Sequence, residues 1–149
     1  MQQTSIQNRN ESYWKIQDRI GNKQRRVLKA IQNSNIPITA QEIANVLEIP
    51  INQVTGRLKE LRELCLIEIS GYKKDMDTRH LRSTYIETNE ISRHINANDM
   101  IQKKERLLAN LKYDMQKSEI SIDSLRIIKK EYNKNLRELN NYKKIATIN

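Results

Sequence analysis

Between residues 39 and 69 the chain reads TAQEIANVLEIPINQVTGRLKELRELCLIEI, and its apolar positions change period along the way. Ile43, Ala44 and Leu47 fall on one face of a short helix. Thr39 caps its start, with Glu42 three residues on completing a capping box. Pro50 breaks the chain between helices, because it cannot continue a helix and restrains the residue before it. Ile51, Val54, Leu58 and Leu61 then recur at 3-4-3 spacing, the stripe of a second helix. Residues 66–70 are β-branched and apolar and predict a strand.

The flanks extend this pattern. Residues 1–10 are polar. Residues 11–20 carry Tyr13, Trp14 and Ile16 and predict a short helix or ordered arm ending at Gly21. Trp14 is a hydrophobic plug on the domain or dimer seam, or else a base-stacking group. Asn22 caps a helix over 23–33 whose buried face is Val27, Leu28 and Ile31. Lys23, Arg25, Arg26 and Lys29 make its other faces basic, suited to phosphates or to solvent. Asn33-Ser34-Asn35 ends it, and Ile36-Pro37-Ile38 is an extended piece whose proline suits a sheet edge. Gly71 opens a polar loop, residues 72–80 (YKKDMDTRH). Residues 81–87 alternate, with Leu81, Ser83 and Tyr85 against Arg82, Thr84 and Ile86. Two strands around a loop of about ten residues make a hairpin.

Residues 89–149 contain no Gly and no Pro. One heptad position takes Ile101, Leu108, Met115, Ile122, Lys129, Leu136 and Lys143. The other takes Lys104, Leu111, Ser118, Leu125, Tyr132, Leu139 and Ala146. Most of these are apolar, which predicts a coiled coil. A continuous helix of about 50 residues would run about 75 Å. A turn within 117–124 (KSEISIDS), where Ser and β-branched residues cluster, would instead fold the segment into a helical hairpin; the continuous helix is the reading preferred from the sequence. Such a polar helix needs a partner to cover its stripe. A second copy is the simplest, through Leu108, Leu111, Met115, Ile122, Leu125, Tyr132, Leu136 and Leu139.

Composition narrows the function. Mean hydropathy is −0.81, low for a compact globule of 149 residues. Net charge is +9. Residues 1–90 carry 14 Lys/Arg against 11 Asp/Glu, and residues 91–149 carry 13 against 7. A basic balance favours polyanionic partners, nucleic acid above all. Cys65 is the single cysteine, so no internal disulfide forms, and it reads as a small core residue. No apolar run is long enough to cross a membrane, and the expected place is the cytoplasm, in association with nucleic acid. His80 and His94 lack metal-ligand spacing. Gly21, Gly56 and Gly71 build no phosphate loop, and no Ser or Cys sits in a nucleophile context. The chain therefore reads as a non-enzyme without metal or cofactor.

If the stripe of the second helix packs inward, Asn52, Gly56 and Lys59 point the opposite way at 100° per residue, with Gln53 and Thr55 on the shoulders. Amides, a hydroxyl, a cation and a glycine suit a helix entering a DNA major groove. Arg57, near the core boundary, suits a backbone phosphate. Residues 38–71 (ITAQEIANVLEIPINQVTGRLKELRELCLIEISG) resemble the winged helix-turn-helix of MarR-like regulators. They are closer still to small winged-helix proteins common in phages and mobile elements. The likeness covers about residues 22–88. It implies the second helix as reader and Lys73, Lys74, Arg79 and Arg82 as wing contacts. Cys65 stands where the family usually carries glycine, at a left-handed helix cap.

The expected fold is thus mostly α with a small β-hairpin wing. An arm (1–21) precedes a winged-helix domain (22–88), and a coiled-coil dimerisation segment (89–149) follows. The expected function is sequence-specific binding of double-stranded DNA by a homodimeric transcriptional regulator. The alternative is an assembly, replication or segregation adaptor whose coiled coil recruits a protein.

Overall fold

A computed structural model describes residues 20–117 and 119–147. The arm with Tyr13, Trp14 and Ile16, and the seam position at Ser118, lie outside these residues. The chain divides into two compact units, one up to Arg93 and one from His94 on.

The first unit holds α1 (Asn22–Asn33), β1 (Ile38–Thr39), α2 (Ala40–Leu47), α3 (Ile51–Glu63), β2 (Ile67–Lys74) and β3 (Leu81–Glu87). It also holds the first turn of α4 (Glu90–Met115). Three apolar stripes close its core: Val27, Leu28 and Ile31 from α1, Ile43 and Ala44 from α2, Val54, Leu58 and Leu61 from α3. Cys65, Leu66 and Ile67 complete it from the chain entering β2. Each fully buried aliphatic side chain contributes about 1.5–3 kcal/mol. The sheet is antiparallel in the order β1-β3-β2, with Ile38 opposite Tyr85 and Ile67 opposite Glu87. Helix, short strand, two helices and a hairpin are the order of a winged helix.

The element ends follow from local hydrogen bonds. At α1 the cap is Gly21 rather than Asn22: its N–H donates to Gln24 Oε1 at 2.8 Å. Thr39 caps α2 as its sequence requires, accepting from Glu42 N at 3.2 Å. The end of α3 is a left-handed cap, although no glycine is there. Cys65 sits at φ 59°, Leu66 N donates to Leu61 O at 3.0 Å and Cys65 N to Arg62 O at 2.9 Å. These are the two bonds of a Schellman motif. The left-handed backbone strains a non-glycine residue, and the buried Cys65 side chain offsets it with apolar contact.

The wing differs from its sequence reading. β2 does not stop at residue 70 but continues through Tyr72, Lys73 and Lys74, so the connection is only residues 75–80. A bulge explains the unexpected length. Ile69 pairs with Tyr85 and Gly71 with Thr84, leaving Ser70 as the extra residue. Its hydroxyl lies 3.0 Å from that of buried Thr84. A bulge resets the pleat and bends the strand, so an unbroken alternation cannot be read through it.

The second unit overturns the continuous coiled-coil helix. Helix α4 ends at Met115, and α5 (Ile122–Ala146) begins afresh with Ser121 as cap, accepting from Ser124 N at 3.2 Å. The two helices face each other through Lys104, whose Nζ donates to Asn135 Oδ1 at 2.8 Å and pairs with Glu138. Breaking the helix also breaks the heptad frame. In α4 the frame holds: Leu108 is buried, and Ile101, Lys104, Leu111 and Met115 are half-buried. In α5 Leu125, Tyr132 and Leu139 stay on the covered face, but their companions are Ile128, Asn135 and Tyr142. The expected Ile122, Lys129, Leu136 and Lys143 are displaced by one residue into solvent, Ile122 at 73% and Leu136 at 37% exposure.

Candidate nucleic-acid interface

Helix α3 turns outward the face that the helical wheel gives it. With Val54, Leu58 and Leu61 buried, Asn52, Gln53, Thr55, Gly56 and Lys59 are all exposed. Lys59 is 79% exposed and lies 4.0 Å from Glu63, too loose a pair to hold it. The Thr55 hydroxyl donates back to Asn52 O at 3.2 Å, which engages its polar end within the helix. Arg57 stands apart from this set. It is half-buried and pairs with Glu60 at 3.1 Å, and Glu60 also accepts from Gln24 of α1. A phosphate reaching Arg57 must displace that carboxylate.

Gly56 needs no space inside the fold. A Cβ built there would meet nothing within 4 Å. Close packing against the protein's own atoms is therefore not its reason. A glycine in mid-helix costs about 1 kcal/mol relative to alanine, and no contact among the described residues returns it.

The wing cations divide into two pairs. Lys73 reaches back to α2 and meets Glu42 Oε1 at 2.8 Å, the same oxygen that accepts from the Thr39 hydroxyl at 3.2 Å. Arg82 lies 3.5 Å from Asp75. Lys74 and Arg79 have no ion pair among the described residues. Asp75 builds the tip: its carboxylate accepts from the N–H groups of Asp77 at 2.9 Å and Thr78 at 3.2 Å. These bonds, Thr78 first, hold its carboxyl below the ordinary carboxylate range, and Arg82 adds to them. The tip closes with Arg79 in the left-handed region at φ 61° and its N–H on Asp75 O at 2.8 Å.

Two features here escape a sequence reading. The pair Lys73–Glu42 joins residues 31 apart in the chain, a distance no spacing rule spans. Tyr72, Met76 and Leu81 are each exposed on the wing, interspersed in sequence with its cations. For Tyr72 the signal was the β2 alternation, which the bulge hides.

No protein-family model and no curated protein matches the chain. Among solved structures it is similar to the "Crystal structure of Bacillus subtilis PadR in complex with operator DNA". The TM-score is 0.35 at 12% identity, over 83% of this chain and 98% of that one. So distant a likeness adds no weight to any role for these residues.

Proposed function

We propose that this protein binds double-stranded DNA sequence-specifically, as a dimeric transcriptional regulator. The observation that carries the reading is the α3 face: five polar or glycine positions, all exposed, on a helix whose other side is core. Gln53 and Asn52 pair with adenine edges, Thr55 offers its methyl to thymine, and Lys59 meets guanine or phosphate. Lys74 and Arg79 take the neighbouring phosphates, and Lys73 and Arg82 follow only by giving up Glu42 and Asp75. The dimer forms through residues 89–149. Two helices cover each other on one side alone, so half-open Leu111, Met115, Leu125 and Tyr132 favour a second copy.

Duplex titration at several salt concentrations tests this. With about six phosphates neutralised, the log–log slope is about −5. Replacing Lys74 and Arg79 by Ala reduces the slope by about one each and weakens all sequences alike. A change in sequence preference instead would remove the wing from the phosphate role. Absence of salt-dependent duplex binding would leave the adaptor reading in its place.

A further inference from the structure

A second surface of the first unit lies away from the reading residues. Helices α1 and α2 flank an open groove of about 370 Å³. Its floor is apolar, made by Ala30, Ile38, Val46 and Leu47, and Arg26 and Lys29 stand among its lining residues. No residue of α3, β2 or β3 lines it. The volume falls within the range of about 300–1,000 Å³ usual for ligand-sized clefts. Val46 is 66% exposed, on a two-turn helix whose Ile43 and Ala44 are buried and whose Leu47 is half-buried.

The charge of α1 points to the occupant. The helix carries Lys23, Arg25, Arg26 and Lys29 and not one carboxylate. Its first turn holds no acid, and its early cations oppose the positive end of the helix dipole. Lys23 and Lys29 have no ion pair among the described residues. Arg26 makes one long hydrogen bond, Nη2 to Leu47 O at 3.5 Å, which sets its head beside the floor.

Those two facts select between anions. A phosphodiester backbone would satisfy the cations and leave Ala30, Val46 and Leu47 in water. A peptide with alternating carboxylates and aliphatic side chains satisfies both, and a helix laid in a groove is an ordinary way to present them. We propose that the α1–α2 groove docks an acidic amphipathic segment of a partner protein. Its aliphatic side chains sit on Ala30, Val46 and Leu47, and its carboxylates meet Arg26 and Lys29. The site shares no residue with the DNA-reading face, so this inference stands whether or not the chain reads DNA.

The test uses the full chain and fluorescence anisotropy. The probe is a labelled helical peptide with Leu at i, i+3, i+4 and i+7 and Glu at most other positions. One control replaces every Leu by Ala, and another replaces every Glu by Lys. The Leu/Glu peptide binds saturably, and both controls bind at least tenfold more weakly. The double variant Arg26→Glu with Lys29→Glu loses at least tenfold, and Val46→Gln loses several-fold. Both variants change exposed positions, and an unaltered circular dichroism melt checks that they fold. Duplex binding by Val46→Gln stays within twofold of the parent. Equal binding by the Ala control, or no effect of Val46→Gln, overturns the proposal, since the face is then only a charged surface. Loss of duplex binding in Val46→Gln with peptide binding intact overturns it too, by giving the groove to DNA.

Discussion

Gly56 and Cys65 each hold a residue type that the local backbone does not favour, and the reasons differ. At Gly56 nothing among the described residues uses the missing Cβ. Gly56→Ala is therefore expected to raise stability by about 1 kcal/mol, measured by urea unfolding. The same change is expected to weaken duplex binding, because a Cβ enters the space a base edge needs. Equal DNA affinity in the more stable variant would mean the glycine serves neither packing nor approach. At Cys65 the side chain is buried, and burial pushes its thiol from 9.0 up to about 11, with Arg93 pulling slightly the other way. The raised value fixes a sign. Below pH 9 both folded and unfolded chains keep the proton, and the stabilisation is complete. Between 9.0 and about 11 the unfolded chain ionises first, so stability declines as pH rises. The difference in unfolding free energy between the parent and Cys65→Ala is expected to shrink across that window. Alkylation by iodoacetamide at pH 8 is expected to follow unfolding, not to precede it. The sequence placed Cys65 in the core from its apolar neighbours. It could not indicate the left-handed backbone, because that conformation is imposed by the turn from α3 into β2.

Among the elements, those with intact periodicity were legible and those with an interruption were not. α1, α2 and α3 follow from apolar spacing and caps, each a local matter of side-chain geometry. The wing and the tail fail at one residue each: Ser70, whose bulge shifts the pleat, and the Ser121 cap, which restarts a helix and its register. Ser121 and Asp123 are ordinary helix-start residues, so the hairpin had a signal. A heptad frame running unbroken over residues 101–146 masks it. The hairpin carries its own polar lock. Lys104 donates to Asn135 Oδ1, and Asn135 Nδ2 donates to Glu131 O at 2.9 Å. Lys104→Met alone strands a buried amide oxygen and is expected to cost about 1–3 kcal/mol. Combined with Asn135→Leu the loss is expected to shrink, since an apolar pair replaces a satisfied polar one. A thermal-melt double-mutant cycle measures this, and strict additivity would deny the coupling.

At the scale of the whole molecule the question is what covers the tail. Many of the residues expected to meet a second copy are covered to some extent within the hairpin, Leu108 and Leu139 most fully. Ile122 and Leu136 remain in solvent. If the dimer forms as proposed, light scattering gives twice the chain mass, and Leu136→Glu returns it toward one mass with its helix content kept. A single mass at every concentration would remove the dimer. The excess charge divides as +3 over residues 1–90 and +6 over residues 91–149, so most of it belongs to the tail segment of the sequence. Salt dependence carried mainly by α3 and the wing would mark the tail's charge as a solvated face. Among the described residues no helix is long and apolar enough to cross a membrane. The sequence by itself determined the helices of the first unit, the stripe of α3 and hence which of its residues face outward, because helical period acts over a few residues. Only the tertiary structure decided which cations stay available, where the wing turns, and that the tail folds back on itself. Those depend on contacts between residues far apart in the chain, such as Lys73 with Glu42 and Lys104 with Asn135, which no local pattern encodes.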